Sequence, residues 1–151
     1  MDKILKDFQQ ILEDKKVFFN NWQKPNWEDE LCELKRTSRD LKLKYSFLKE
    51  KCIKKGFLTD LDYNFWSKLE NTSSFKISDL SDVYDFLVKV ERTRDWQKIV
   101  LGFKNNDKIP SPIVCIKSDN IPYLVGGNTR LMISKALGIQ PKIWLFFING
   151  I

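Results

Sequence analysis

Apolar residues recur at helical spacing through about the first hundred residues of the chain. The spacing is already present near the start, at Ile4, Leu5, Phe8, Ile11 and Leu12. Apolar positions three and four residues apart fall on one face of a helix, so residues 1–20 are predicted to form an amphipathic helix. Further helices are predicted over residues 27–34, 39–55, 59–69, 78–90 and 96–103.

Small polar residues stand where several of these helices are expected to begin. Thr37 and Ser38 are placed to cap the helix over residues 39–55, and Gly56 follows its last turn, where glycine commonly ends a helix. The predicted caps of the later helices are Thr59, Ser78 or Asp79, and Asp95.

The pattern changes to short apolar runs in the last third of the chain. Residues 113–116 and 122–125 are typical of strands, and the polar turn at 118–120 favours their antiparallel pairing. A helical pattern over residues 128–137 follows, and Gly138 and Pro141 end it. The apolar residues 143–147 predict one more strand.

These elements predict an α+β fold, with a mostly helical N-terminal part packed on a small sheet. We place a boundary near residues 75–80, between a helical region over 1–75 and a second region over 76–151. The alternative, in which both regions form one compact unit, stays open.

Composition narrows the class of protein. No apolar run approaches the ~20 residues that cross a bilayer, and the acidic start of the chain lacks an apolar signal core. The three cysteines, Cys32, Cys52 and Cys115, are scattered and odd in number, which favours a reducing compartment over a disulfide framework. We therefore expect a cytoplasmic protein without a secretory peptide or a membrane span.

The chain contains no histidine. Catalysis by Ser-His-Asp or Cys-His arrangements and zinc sites built on histidine are therefore excluded. Any proton transfer must use a carboxylate, lysine, tyrosine, cysteine or water.

The net charge of +6 favours acidic partners, and the predicted helix over residues 39–55 is strongly basic. Against Asp40 and Glu50 it carries Arg39, Lys42, Lys44, Lys49, Lys51, Lys54 and Lys55. A solvated face with lysines at the helix C-terminus explains this pattern. A basic ridge that binds DNA or RNA phosphates explains it as well.

The most informative stretch is the turn from Gly126 to Arg130. A strand, two glycines and a helix start are typical of an anion site, because the first N–H groups of a helix are free and its dipole favours negative charge. Asn128 and Thr129 could donate to phosphate oxygens, and Arg130 could neutralise phosphate charge. The alternative is a tight connection in which Asn128 is only an N-cap and Arg130 a surface residue.

The segment IPSPIVCIKSDNIPYLVGGNTRLMISKALGIQPKIWLF resembles the ParB/sulfiredoxin superfamily. The shared features are a proline-flanked strand, a short turn, a strand ending in glycine, a charged helix start, an Ala-Leu-Gly helix end and a final strand. The resemblance covers residues 95–147 and includes the helix over 96–103. It implies a mixed sheet and a nucleotide phosphate site at the glycine turn.

The resemblance also implies what this chain does not do. In sulfiredoxins the loop is Gly-Gly-Cys-His-Arg, so Gly126, Gly127 and Arg130 match it, while Asn128 stands in place of the nucleophilic cysteine. Sulfinic acid reduction is therefore not expected. The partition proteins of the family use Gly-Glu-Arg-Arg to bind a nucleoside triphosphate and carry a helix-turn-helix after this domain, which we do not expect here. Other branches are kinases or are described as nucleases.

The leading prediction is an ATP-dependent phosphotransferase of the ParB/sulfiredoxin type. As the resemblance implies, ATP or another nucleoside triphosphate, with Mg²⁺, is held by Gly126, Gly127, Asn128, Thr129 and Arg130, and we add Arg94 from a charged corner next to the matching region. Glu91 or Asp95 is the predicted base, with Asp107 and Asp119 as further carboxylates, and the acceptor is a nucleic acid or a nucleotide.

Two other functions stay open. A non-catalytic module would bind nucleic acid or a protein partner through the helical part. A nuclease would need a carboxylate cluster for metal ions, and the sequence has none at motif spacing, so no metal ligand is assigned. The sequence does not indicate an oligomeric state.

Overall fold

The computed structural model describes residues 18–90 and 96–149. Residues 1–17 of the helix predicted over residues 1–20 lie outside this part of the chain, and so does Asp95. In chain order the helices are α1 (Trp27–Asp40), α2 (Tyr45–Lys55), α3 (Tyr63–Ser67), α4 (Leu80–Lys89), α5 (Trp96–Lys104) and α6 (Asn128–Leu137). The strands are β1 (Trp22–Gln23), β2 (Phe57–Asp60), β3 (Ile109–Pro110), β4 (Ile113–Ile116), β5 (Pro122–Gly126) and β6 (Lys142–Phe147). The α+β class is confirmed.

The main sheet has four strands in the order β2-β6-β4-β5 and is mixed. β4 and β5 pair antiparallel through the turn at 118–120, as predicted. β6 lies parallel to β4 on its other side, because α6 carries the chain back across the sheet before β6 begins. A separate two-stranded parallel ladder joins β1 to β3.

The fourth strand, β2, comes from the other predicted region of the chain. It pairs antiparallel with β6, so that Phe57 is opposite Leu145 and Asp60 is opposite Lys142. The main sheet therefore joins residues on both sides of the boundary expected near residues 75–80. No helix in the described part of the chain is long and apolar enough to cross a membrane.

Both faces of the sheet are buried along β4 and through the middle of β6. On one face, Cys115 and Phe146 pack with Leu34 of α1 and Leu48 of α2. The other face packs on a cluster around Trp66, and a third cluster packs α4 and α5 against α6. Burial on both sides explains why β4 and β6 are continuous apolar runs without alternation. It also fixes α1 and α6 at the β5 end of the sheet.

The single helix predicted over residues 39–55 is wrong. α1 continues to Asp40, the chain turns at residues 41–44, and α2 begins at Tyr45. Lys42 has φ 58°, a left-handed conformation that interrupts a helix although no glycine or proline marks the place. Thr37 and Ser38 are consequently buried inside α1 and cap nothing, and the Ser38 hydroxyl donates to the Lys35 carbonyl.

The prediction for Thr59 is also wrong, whereas that for Asp79 is confirmed. Thr59 lies in β2, and the cap of the next helix is Asp62, whose carboxylate accepts from the Phe65 N–H at 2.7 Å. Asp79 caps α4 in a reciprocal arrangement with Asp82. The apolar run at 57–58 next to Gly56 is the feature that indicates a strand before the short helix.

Candidate functional site

The glycine turn connects the end of β5 to the first turn of α6. Gly127 is the N-cap residue and has φ +101°, which residues with a side chain rarely adopt. It has no side chain with which to cap the helix, and Asn128 is already the first helical residue. The alternative in which Asn128 is the N-cap is therefore wrong.

The Asn128 side chain instead fastens the glycine turn to the segment before the 3-10 turn Ser74–Lys76. Its Oδ1 accepts from the Thr72 hydroxyl at 2.6 Å and from the Ser73 N–H at 3.3 Å. Its Nδ2 donates to the Ser73 hydroxyl at 3.2 Å. With these three bonds in place, the amide positions the turn and is not directed at a ligand.

A side chain at either glycine would meet neighbouring protein atoms. A Cβ on Gly126 would lie 3.0 Å from Glu30 Oε2 and 3.2 Å from Glu33 Cγ. A Cβ on Gly127 would lie 2.7 Å from Pro112 Cβ, closer than real Cβ atoms come. The space that side chains would fill is thus occupied by protein, and a ligand must approach the turn from the side of the helix amides.

Arg130 is held in place by two partners. Its Nη2 donates to Glu30 Oε1 at 3.0 Å, and its Nη1 donates to the Pro110 carbonyl at 2.6 Å. Its side chain is 16% exposed and that of Glu30 is 8% exposed, so this is a largely buried ion pair. The alternative of Arg130 as a surface residue is wrong, because the side chain ties α6 to α1 and to β3.

Three backbone donors remain at the start of α6. The N–H groups of Asn128, Thr129 and Arg130 precede the first helical bond, in which Leu131 N–H donates to the Gly127 carbonyl. Within the described residues no hydrogen bond satisfies them. The turn lies in the wall of an open cleft of about 620 Å³, which Thr129 also lines. Free donors of this kind, together with the helix dipole, favour negative charge at the start of a helix.

Another wall of this cleft is acidic. It is formed by α1, which contributes Asp29, Glu30, Glu33, Arg36 and Asp40. Glu33 pairs with Arg36, and Asp40 accepts from the Tyr123 hydroxyl at 3.3 Å, a phenol whose pKa burial raises. No described residue pairs with the Asp29 carboxylate. Glu28, Asp29 and Glu30 lie in the first turn of α1, where the helix dipole favours acids, and only the fold brings this helix to the glycine turn.

A third part of the cleft is apolar. It is formed by Phe86, Leu87 and Val90 at the end of α4 and by Ile99 of α5. Val90 is 40% exposed and Leu87 is buried. The cleft therefore combines an amide-lined end, a carboxylate wall and an apolar surface, which suits a ligand with both a charged and a flat apolar part.

The predicted residues Glu91, Arg94 and Asp95 lie outside the described residues, so their predicted roles stay predictions. Of the other two candidate carboxylates, Asp107 is exposed and does not line the cleft. Asp119 lies in the β4–β5 turn, where its pKa is lowered mainly by the Ile121 N–H and also by Lys117. Neither belongs to the candidate site.

The basic residues of 39–55 are divided among the end of α1, the turn at residues 41–44 and α2. On α2, the Lys51 ammonium lies 5.8 Å from the centre of the Phe47 ring, and Phe47 is 40% exposed. Lys54 and Lys55 are exposed beside them, and Lys54 pairs with Glu50 at 3.4 Å. This surface lies on a different element from the glycine turn.

Within residues 18–90 and 96–149, no group of three or more His, Cys, Asp or Glu side chains is placed to hold a metal ion. Burial raises the pKa of the Cys52 and Cys115 thiols to about 12, so neither is a nucleophile at neutral pH.

Comparisons with protein-family models, with curated proteins and with solved structures found no match for this chain.

Proposed function

We propose that the chain binds a nucleoside triphosphate at the N-terminus of α6 and transfers its terminal phosphoryl group to an acceptor. The observation that carries the proposal is the set of three unsatisfied N–H groups, from Asn128 to Arg130, opening onto a cleft large enough for a nucleotide. The resemblance of residues 95–147 to the ParB/sulfiredoxin superfamily supports a nucleotide over a simple anion.

Arg130 supports the proposal as a positioning residue. Glu30 neutralises most of its charge, and its two bonds fix the first turn of α6 against α1 and β3. Because the amide donors are rigid before a ligand arrives, a phosphate gains their hydrogen bonds without reorganising the turn. The phosphate is therefore held mainly by backbone groups and the helix dipole.

The charge of the cleft favours a nucleotide that carries Mg²⁺. Four carboxylates and two guanidinium groups line it, so a free triphosphate would be repelled by α1. Mg²⁺ is usually bound by one or two carboxylates together with substrate phosphates, and Asp29 and Glu33 would hold it in this way. The ion supplies neutralisation of phosphate charge, which is its role in phosphoryl transfer generally.

The remaining walls suit the other parts of the reaction. The apolar surface of Phe86, Val90 and Ile99 suits a nucleobase, because stacking and apolar contact accept a flat ring. A carboxylate would orient the acceptor hydroxyl, and Glu91 and Asp95 stay the predicted residues for this role.

Calorimetric titration with ATP, GTP and CTP, each with and without Mg²⁺, tests the binding step. We expect saturable binding that Mg²⁺ strengthens. Incubation of the chain and Mg²⁺ with γ-labelled nucleotide and DNA, RNA, nucleotides or small metabolites then tests transfer. Absence of heat and of label transfer for every nucleotide would end the proposal.

A second function is favoured by one specific observation on α2. The exposed Phe47 ring beside Lys51, with Lys54 and Lys55 next to it, combines a stacking surface with cations, as single-stranded nucleic acid sites do. This function predicts affinity for single strands that falls steeply with salt and is lost in Phe47→Ala, while Thr129 variants leave it unchanged.

A further inference from the structure

The strand β2 is an outer strand of the main sheet, and its side chains are unusually exposed. Phe57 is 45% exposed and Leu58 is 39% exposed. Phe57 is opposite Leu145 of β6, so it lies on the same face as Phe147, which is 44% exposed. Phe57 and Phe147 thus form an apolar patch on one face, and Leu58 is exposed on the other face. We call this outer side of β2 the β2 edge.

The backbone of β2 presents free hydrogen-bonding groups at this edge. Just beyond the strand, Leu61 N–H donates to the Pro141 carbonyl at 2.9 Å, on the side of β6. Since the direction of backbone groups alternates along an antiparallel strand, Phe57 and Thr59 also face β6. The N–H and C=O groups of Leu58 and Asp60 therefore point away from the sheet. Within the described residues no strand pairs with them.

The opposite edge of the sheet is covered. There, Glu70 forms a parallel bridge with Tyr123, and its carbonyl accepts from the Leu124 N–H at 2.9 Å. Outer strands of monomeric proteins are normally protected in this way or by proline, a bulge or inward-pointing charges. β2, with the sequence Phe-Leu-Thr-Asp, has no proline within its four residues, and its protection is limited to its short length and the charge of Asp60.

The charges around β2 are arranged with opposite signs at its two ends. Lys54 and Lys55 precede the strand, and Asp60 and Asp62 end and follow it. When two antiparallel strands pair, the start of one lies next to the end of the other. A second copy of β2 would therefore bring each basic end next to an acidic end, whereas a parallel pairing would bring like charges together.

We propose that the β2 edge is a self-association surface, through which two copies of the chain pair their β2 strands antiparallel. Leu58 of one copy is then opposite Asp60 of the other in a hydrogen-bonded pair, and the two Thr59 residues meet at the twofold axis. The two four-stranded sheets become one sheet of eight strands. Phe57 of each copy is then opposite Leu61 of the other, and Phe147 lies on the same face of the joined sheet as Phe57.

Such a dimer is isologous, since the same surface is used by both copies. In this register the end of α2 in one copy lies near Asp62 of the other, so the two α2 helices end at opposite ends of the paired strands. This arrangement is independent of the proposed nucleotide site, which lies at the β5 end of the sheet.

Sedimentation equilibrium at low salt, across a series of protein concentrations, tests the proposal. We expect the wild-type chain to approach the mass of a dimer as its concentration rises. Lys55→Glu and Asp60→Lys should each shift the chain towards the monomer, because like charges then meet at both ends of the paired strands. An equimolar mixture of the two variants should form a heterodimer, in which every end has an opposite partner. Lys89→Glu, an exposed change on α4, is the control and should dimerise like the wild type.

A backbone variant separates pairing from simple charge effects. Leu58→Pro removes an outward N–H and leaves the bonds from β2 to β6, so it should abolish the dimer while the protein stays folded by circular dichroism. A wild-type chain that stays monomeric at every concentration would overturn the proposal. The proposal would also be overturned if Lys55→Glu, Asp60→Lys and Leu58→Pro all had the same dimer mass as the wild type.

Discussion

The Arg130 guanidinium donates to Glu30 Oε1 at 3.0 Å, across a sequence separation of 100 residues. This pair joins the first turn of α6 to α1, and the Pro110 carbonyl adds a third point of attachment. The glycine turn is therefore fixed by contacts that come from three separate parts of the chain. The contacts of Arg130 with Glu30 and Pro110, as well as the two glycines, therefore position the amide donors of the turn.

Breaking this ion pair should destabilise the fold strongly. Arg130→Met leaves the Glu30 carboxylate buried without its partner, and we expect a loss of about 3 kcal/mol in the free energy of unfolding. Adding Glu30→Gln to Arg130→Met should recover part of the loss. Urea denaturation measures both, with Lys54→Met as a control that breaks an exposed pair and changes stability by less than about 1 kcal/mol. Equal effects of Arg130→Met and Lys54→Met would contradict the structure.

The two glycines with left-handed backbone should differ in their tolerance of a side chain. Gly127→Ala combines φ +101° with a contact of 2.7 Å to Pro112, so it should cost about 3 kcal/mol. Gly138→Ala has φ +69° and open space around the new methyl group, so it should cost only about 1 kcal/mol. Thermal unfolding of the two variants provides the comparison. A larger loss for Gly138→Ala would show that the turn is packed differently.

The three cysteines should react at very different rates. Cys32 is exposed, whereas Cys52 and Cys115 are buried and have pKa values raised to about 12. A thiol-specific reagent at neutral pH should modify Cys32 quickly and the other two only after denaturation. Fast modification of three thiols in the folded protein would contradict the described core.

The same two thiols predict a dependence of stability on pH. Their pKa is raised in the folded state, so the unfolded chain releases their protons first, above its pKa of about 9. The stabilisation is complete below pH 9 and declines as the pH rises from about 9 towards 12. Over this pH range, the free energy of unfolding should decline less steeply in Cys52→Ala and in Cys115→Ala than in the wild type. Cys32→Ala is the control and should decline like the wild type. An unchanged slope would mean that these thiols ionise freely in the folded protein.

Local sequence rules succeed where the structure is local. The β4–β5 hairpin, α6 between Gly127 and Gly138, and the Asp79 cap are all determined by residues within a few positions of each other. The local sequence rules fail at residues 41–44, because the apolar spacing of α1 continues into α2. Lys42 has a left-handed backbone there, and neither glycine nor proline indicates it in the sequence. Tertiary packing, rather than propensity, ends α1 there.

In the candidate site, too, the features that depend on neighbouring residues could be predicted and those that depend on distant contacts could not. The glycine turn is visible in the sequence because it is one continuous stretch. The carboxylates of α1 and the partner of Arg130 are not, since nothing in residues 27–40 indicates that they meet residues 126–130. Asn128 shows that residue type alone misleads, because its amide is a good phosphate donor but is already bonded to Thr72 and Ser73.

The proposed function depends on free amide donors at Thr129 and its neighbours, and Thr129→Glu tests this directly. The helix dipole favours a Glu side chain in the first turn, so the variant should be as stable as the wild type or slightly more stable. The added carboxylate lies where a phosphate would bind and should repel it. Thr129→Gln matches it in size without the charge and serves as the control.

The decisive measurement is calorimetric titration of the wild type, Thr129→Gln and Thr129→Glu with nucleoside triphosphate and Mg²⁺. We predict that Thr129→Glu weakens binding by about tenfold or more, while Thr129→Gln stays within about threefold of the wild type. Binding of equal strength in the wild type and both variants would contradict a phosphate site at the start of α6.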